Sequence, residues 1–467
     1  MVVGEMPEGL DFLVIGAGPG GYTAALEAAA LGRSVTIVDR AGAEGVGGTC
    51  LLEGCIPSKA LIETAELRSR ALEFAGSALG FQAACVDMPK FQAWKNDIVT
   101  RLSKGVHGKL RSGGVNVIGG TFSFTGANRG VIEIGGDSPP QHVEFEDAVI
   151  AVGSTAVQVP SLPFDGAKVF DAAGILDLEE LPQHLVVVGG GYIGMEIGTA
   201  AQKLGSLVVV VEAMDTILPG MPPSAVKHVV RRARKLGIEI LTGHAAQGVG
   251  DEGIEVVGPD GASRTLPADA VLVAVGRRPA TKHLGLAAAG IRVDEQGLIP
   301  VDAGFRASSH IAAVGDAVAG PALAHKAIAE AKVAARALCG QPAALVSTAI
   351  PLVVFSDPEI AVVGLDAAAA EASGMETAVL RLPFGASGRA ATMESTEGAV
   401  ELVVDRATNA VVGAVLVGPH VSELVGEMTL AIEMAATPDD LSFTIHPHPT
   451  LSEMVQDAAA QYVALPG

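Results

Sequence analysis

One unit occurs twice in this chain, and it limits the fold more than any other feature. Asp11 to Ile15 is a short apolar strand that runs into the glycine turn Gly16-x-Gly18-x-x-Gly21, an alanine-rich helix follows to Leu31, and a second strand, Ser34 to Val38, ends at Asp39. The order recurs as Leu185 to Val188, Gly189-x-Gly191-x-x-Gly194, a helix to Leu204, and Leu207 to Val211 ending at Glu212. Gly16 to Gly189 and Asp39 to Glu212 are both steps of 173 residues. The returning strand recurs too, as Ala151-Val152-Gly153-Ser154 and Ala274-Val275-Gly276. Such a turn brings backbone close to a pyrophosphate at a helix N-terminus, and the acid at the next strand end faces a ribose hydroxyl. The expected fold class is therefore α/β with two Rossmann-like dinucleotide-binding domains. Two such sites in one chain suggest FAD and a nicotinamide exchanging electrons. Glu212 closes the second ribose strand with no arginine following it closely, which favours NAD over NADP.

The stretch Gly47 to Lys59, GGTCLLEGCIPSK, sets Cys50 and Cys55 five positions apart within the first unit. A regular helix would hold their Cα atoms roughly 8.6 Å apart, beyond disulfide reach. The segment must bend; Gly54 allows it, and Pro57 is tolerable only near a helix start or kink. A bridge in such a segment is easily reduced. Spacing alone leaves buried thiols or half a metal site open as alternatives.

At 467 residues the chain is expected to form two to four domains. A formal charge of −21 disfavours nucleic acid and anionic lipid as partners. Four cysteines do not make a disulfide scaffold, so one catalytic pair in a cytoplasmic protein fits best, with Cys85 and Cys339 taken as buried hydrophobes. The N-terminus lacks the pattern of a signal or transit peptide, and the uncharged run near Leu345 to Ser356 is too short to span a bilayer.

Ala60 to Gly76 and Phe91 to Arg111 read as helices, and Val115 to Ile134 as short strands. Gly315-Asp316 ends a strand where an aspartate suits a ribityl chain. After Gly340-Gln341-Pro342 the pattern becomes alternating strands and a helix, Val421 to Ala435, an α+β domain. Near the end, His446-Pro447-His448-Pro449 precedes a helix expected to begin near Thr450, with Glu453 one turn inside it. The prolines hold the His448 imidazole in one direction, and Glu453 would orient it and raise its basicity. No further ligands stand nearby, so no metal site is expected.

Taken together, GAGPGG, GGTC-x4-CIPSK, GGGYIGMEIG, AVGRRP, AVGDAVAGPALAHKA and HPHPTLSE make the chain resemble the dihydrolipoamide dehydrogenases, from Asp11 to Val463. These are the E3 components of 2-oxoacid dehydrogenase and glycine-cleavage systems. The resemblance implies an FAD domain at 1–155 completed by 281–345, an NAD domain at 156–280, a central domain at 281–345 and a dimerisation domain at 346–467. It also implies a homodimer in which His448 and Glu453 serve the partner's Cys50–Cys55 disulfide. Gly16, Gly18, Gly21, Asp39, Gly48, Thr49, Lys59, Phe122, Gly153, Ser154, Asp316 and Ala324 would then contact FAD, and Gly189, Gly191, Gly194, Glu212 and Gly276 NAD. Lys59 and Glu196 match an ion pair near the flavin ring. The implied substrate is a dihydrolipoyl group on an E2, an H protein or another lipoyl carrier.

Departures lie at Leu51-Leu52-Glu53, where the family has Leu-Asn-Val, and at Val152, Ala280 and Pro447. A carboxylate at Glu53 is expected to disfavour a Cys55 thiolate and shift the redox balance. The other readings are a flavin disulfide reductase for another carrier or thiol, or a non-catalytic NAD-binding subunit of the same fold.

Overall fold

The computed structural model describes residues 7–75, 85–136, 138–345 and 349–463. Residues 1–6, 464–467 and 346–348, which include the chain ends and the last expected boundary, lie outside them, as does Gly76. In the first unit the strands Asn116–Gly119, Val35–Asp39, Glu8–Ile15, Gln141–Ile150 and Ile311–Ala313 lie side by side, all parallel. Alternate residues of the Glu8–Ile15 strand serve two layers. Phe12 and Val14 pack against helices Pro19–Ala30 and Ala324–Leu338 through Ala24, Ala28, Ala331 and Ala335. Leu13 and Ile15 pack against Phe122, Phe124 and Phe145 on the other face. With both faces covered, the central strands are apolar runs without alternation.

The second unit repeats the order: Glu239–Thr242, Leu207–Glu212, His184–Val188, Ala270–Val273 and Val169–Phe170, again all parallel. The chain leaves the first unit along Ser154–Ala156 and comes back along Arg277–Pro279, and these two short strands pair antiparallel. Residues 281–345, expected both to complete the FAD domain and to form a central domain, pack on the first unit. Ile311–Ala313 pairs with Ala148–Ile150, and helix Ala324–Leu338 lies on helix Pro19–Ala30, so the segment completes the first sheet and its cover.

The C-terminal domain is a five-stranded antiparallel sheet, Leu352–Val354, Glu359–Gly364, Val411–Gly418, Ala399–Asp405 and Thr377–Pro383 in spatial order. Helices Val421–Glu433, Pro438–Phe443 and Glu453–Ala459 cover one face. From the other face Val354, Ile360, Val362, Val415 and Val417 enter a core shared with helix Tyr192–Leu204 of the second unit and helix Cys55–Phe74 of the first. All three domains therefore meet around the helix that begins at Cys55.

Two local expectations are corrected. The last helix begins at Glu453, not near Thr450, because the Thr450 N–H is bound to a Glu453 carboxylate oxygen and its hydroxyl to the Pro447 carbonyl. Cys85 is exposed and Cys339 only half-buried, so neither is a fully buried hydrophobe. Among the described residues no helix is long and apolar enough to cross a membrane.

Candidate active site

The two glycine turns agree in detail. A Cβ at Gly16 would meet the Ala151 carbonyl oxygen at 2.5 Å, and one at Gly189 the Ala274 carbonyl oxygen at the same distance. Side chains at Gly21 and Gly194 would strike the carbonyl oxygens of Gly16 and Gly189. The middle glycines differ from these: beside Gly191 nothing lies within 4 Å, and beside Gly18 only the Gly48 Cα at 3.9 Å. Each middle glycine caps a helix of twelve residues or more, so open space lies over free helix N–H groups. This is the cradle a diphosphate needs.

The strand-end acids share a task that the sequence did not reveal. Asp39 accepts hydrogen bonds from the Ala17 and Ala41 N–H groups at 2.9 and 3.0 Å. Glu212 accepts from Gly190 and Met214 at 2.7 and 2.8 Å. Each carboxylate thus ties down its own turn, and its oxygens keep lone pairs for ribose hydroxyls. Gly119 is Asp39's partner in the sheet register and the Gly120 N–H binds the Asp39 carbonyl at 2.8 Å. Phe122, whose backbone is expected to contact FAD, has its ring buried, edge-on to Phe124 at 4.9 Å.

The cysteine segment is bent as its spacing requires. A short helix, Gly48–Leu52, ends at Glu53, and a new helix starts at Cys55 after Gly54. Gly47 donates its N–H to the Ala17 carbonyl at 3.0 Å. Gly48 has φ +59° and sits so close to the first turn that a Cβ would lie 2.6 Å from the Gly18 Cα. The cysteines are therefore mounted directly on the first dinucleotide turn. Both are free, with sulfurs 2.7 Å apart. The Cys50 thiol donates to Cys55, which is the main reason the Cys55 pKa falls to about 7; Lys59 adds to the effect, while burial and Glu196 oppose it. Keeping the proton it shares in that hydrogen bond, together with burial, pushes the Cys50 thiol the opposite way, up. Glu53 is exposed at the bend.

Lys59, one turn beyond Cys55, binds Glu196 at 2.7 Å, and its ammonium lies 4.3 Å from the centre of the Phe355 ring. The other Glu196 oxygen accepts the Phe355 N–H at 3.0 Å. One ion pair thus touches all three domains. Ser154 donates to Asp316 at 2.5 Å and receives two hydrogen bonds from Arg277, through Nε to its hydroxyl and through Nη2 to its carbonyl. The Gly315 N–H is held by Glu330, itself in a buried ion pair with Lys326. Ala324 is the first residue of its helix, and Gly153 and Gly276, both at positive φ, have open space where a side chain would be. Thr49 is exposed in the short helix beside Cys50.

The two histidines near the C-terminus separate clearly. His446 has both ring nitrogens engaged, with the Thr444 carbonyl and Glu427, and its side chain is 6% exposed. His448 has Nδ1 on Glu453 at 2.7 Å and is 81% exposed, with Nε2 turned to no recorded partner among the described residues. The Thr450 N–H, and after it His448, holds the Glu453 carboxyl below its ordinary pKa. Among the described residues no contact joins His448 to the cysteines of its own chain, and no three His, Cys, Asp or Glu side chains converge on a metal position.

The sequence matches the pyridine nucleotide-disulphide oxidoreductase family over residues 10–331, and the dimerisation domain of the same family over 350–459. The chain belongs to this family. It is 45% identical over 466 residues to dihydrolipoyl dehydrogenase 2 of Haloarcula marismortui, covering 98% of each chain. It is 42% identical over 470 residues to the dihydrolipoyl dehydrogenase of Geobacillus stearothermophilus, covering 100% of this chain and 99% of the other. Among solved structures, LpdA from Mycobacterium tuberculosis superposes with a TM-score of 0.89 at 29% identity, covering 97% and 100% of the two chains. The HOCl-induced flavoprotein disulfide reductase RclA of Escherichia coli gives 0.85 at 27%, covering 97% and 99%. As a member, the chain is a flavoprotein oxidoreductase with FAD and NAD as cofactors.

Arg277, Gly119–Gly120 and Phe355 were not singled out from sequence. Arg277 follows the second returning turn, inside the AVGRRP motif; Phe355 comes from another domain and carries no local signal.

Proposed function

We propose that this chain is a dihydrolipoyl dehydrogenase, which oxidises a protein-bound dihydrolipoyl group and reduces NAD. The observation that carries the reading is the Cys50–Cys55 pair, seated on the first dinucleotide turn and linked through Lys59–Glu196 to the second unit. Whole-chain identity to dihydrolipoyl dehydrogenases supports the substrate.

Gly16, Gly18, Gly21, Asp39, Gly48, Ser154, Asp316 and Ala324 would hold FAD, and Gly189, Gly191, Gly194, Glu212 and Gly276 NAD. When bound, these groups accept the electron pair released at the sulfurs and deliver it to the nicotinamide. In the oxidised enzyme a substrate thiolate attacks Cys50 of the disulfide, forming a mixed disulfide as Cys55 leaves as a thiolate. Lys59 favours charge at Cys55, so it is the better leaving sulfur. The second substrate thiol attacks the sulfur bound to Cys50, closing the lipoyl disulfide and releasing Cys50. Two substrate protons leave in the process, and His448 accepts one at Nε2 while Glu453 steadies the imidazolium through Nδ1.

His448 would serve the cysteines of a second copy. It projects from the dimerisation domain among exposed apolar residues, Leu430, Met434, Phe443 and Ile445, which suit burial against a partner chain. The partner macromolecule would be a lipoyl-bearing protein, and the compartment the cytoplasm. In the test, Cys50→Ser is expected to lower dihydrolipoamide-dependent NADH formation by at least about a thousandfold. An intact rate would exclude the disulfide route.

A further inference from the structure

Helices Cys55–Phe74 and Tyr192–Leu204 pack along each other and are joined by two ion pairs. Lys59 binds Glu196 at 2.7 Å, and Glu66 binds Lys203 at 2.5 Å. The second pair stands seven residues beyond the first on both helices, with the signs exchanged. Seven residues make about two turns, so both pairs lie along one seam about 10 Å apart, between helices that run parallel. A slide of one repeat would bring Lys59 to Lys203 or Glu66 to Glu196, and like charges reject both. The core these helices share includes Ala60, Ala65, Ala200 and Ala201, whose small side chains give little resistance to sliding.

The third domain grips both pairs with one segment. The Phe355 N–H takes Glu196, and Asp357 takes Lys203 at 2.7 Å and Arg232 at 2.9 Å. Lys203 is 5% exposed at its side chain, so its charge depends on Glu66 and Asp357 for compensation.

We propose that Glu66, Lys203 and Asp357 form a second rung, which sets the axial register of the Cys55 helix against the Glu196 helix and so positions the Lys59–Glu196 pair beside the reacting sulfurs. These are positioning residues, and the inference rests on the reading of Cys50 and Cys55 as the reacting pair. The charged and titratable groups that face Cys55 are Cys50 and Lys59 from its own segment and Glu196 and Tyr192 from the facing helix.

The test is a double-mutant comparison in the Cys50→Ser holoenzyme, where the pH midpoint for iodoacetamide alkylation of Cys55 is followed by mass spectrometry. Glu196→Gln removes a carboxylate that opposes the thiolate, and is expected to lower the midpoint and speed alkylation at pH 6 by about threefold. With Lys203→Met already present the shift is expected to fall to less than half, and with Lys203→Arg to return. Sites about 10 Å apart without coupling act additively. Equal shifts in both backgrounds overturn the proposal, as does the absence of any shift from Glu196→Gln. Lys95→Met is the control: this equally buried lysine binds the Leu176 carbonyl and Asp177, away from the seam. If it abolishes the shift as Lys203→Met does, general loosening is the cause and the proposal fails. Should Lys203→Met not fold, Glu66→Gln gives the same comparison with Asp357 still paired. No substrate is present in these measurements, so their failure is distinct from a failure of lipoamide turnover.

Discussion

At the scale of single residues, two neighbouring sulfurs are made unequal by their surroundings. With the Cys55 pKa lowered from 9.0 to about 7, about half of it is ionised at pH 7, against about 1% for an unperturbed thiol. Alkylation of Cys55 in the reduced enzyme is therefore expected to climb between about pH 6 and 8 and level off above, because a depressed pKa places the thiolate's titration below that of a free cysteine. A profile still rising at pH 9 would contradict this. Glu53 was expected to weigh on this balance. The structure turns it to solvent, where exposed charges contribute up to about 1 kcal/mol, and 30 mV corresponds to about 1.4 kcal/mol for a two-electron couple. Glu53→Val is accordingly expected to move the potential of the pair by no more than about 20 mV in an anaerobic redox titration.

At the scale of elements, the glycine turns and their strands were legible because duplication repeats glycine, helix and acid at fixed spacing. The break at Gly54 followed from spacing alone. The strand ends, the late start of the last helix and the exposure of Cys85 depended on hydrogen bonds and packing that no local pattern encodes. The tie between Asp39 and the Ala17 N–H, or Phe355 under Lys59, joins residues far apart in the chain. Gly48 belongs to the legible part only in hindsight, since its need for a hydrogen side chain comes from Gly18. Gly48→Ala places a side chain at φ +59° and against that Cα. A backbone cost of about 1–3 kcal/mol is expected, seen as a lowered melting temperature together with weakened flavin retention. If melting falls but flavin retention does not, the cysteine segment is not seated on the cofactor turn in the way described.

At the scale of the whole molecule, the placement of His448 away from its own cysteines makes a sharp expectation about the dimer. Cys50→Ser and His448→Gln chains should each be inactive as homodimers. Refolded together in equal amounts, half the dimers are mixed, and each mixed dimer regains one intact site in two, so about a quarter of wild-type turnover should return. If each site were built within one chain, mixing would restore nothing. The side-by-side strands Ser154–Ala156 and Arg277–Pro279 bear on the molecule as a whole in another way. They show that residues 157–276 form an insert whose two ends meet, so a short peptide could splice across the gap and leave the first sheet unbroken. Packing withholds what connectivity permits: the insert shares its interior with Ala60, Leu61 and Ala65 on one side and Val354 and Val415 on the other. Excision would strip the helix behind Cys55 of its cover, so the second unit is a guest by topology and a structural wall by packing.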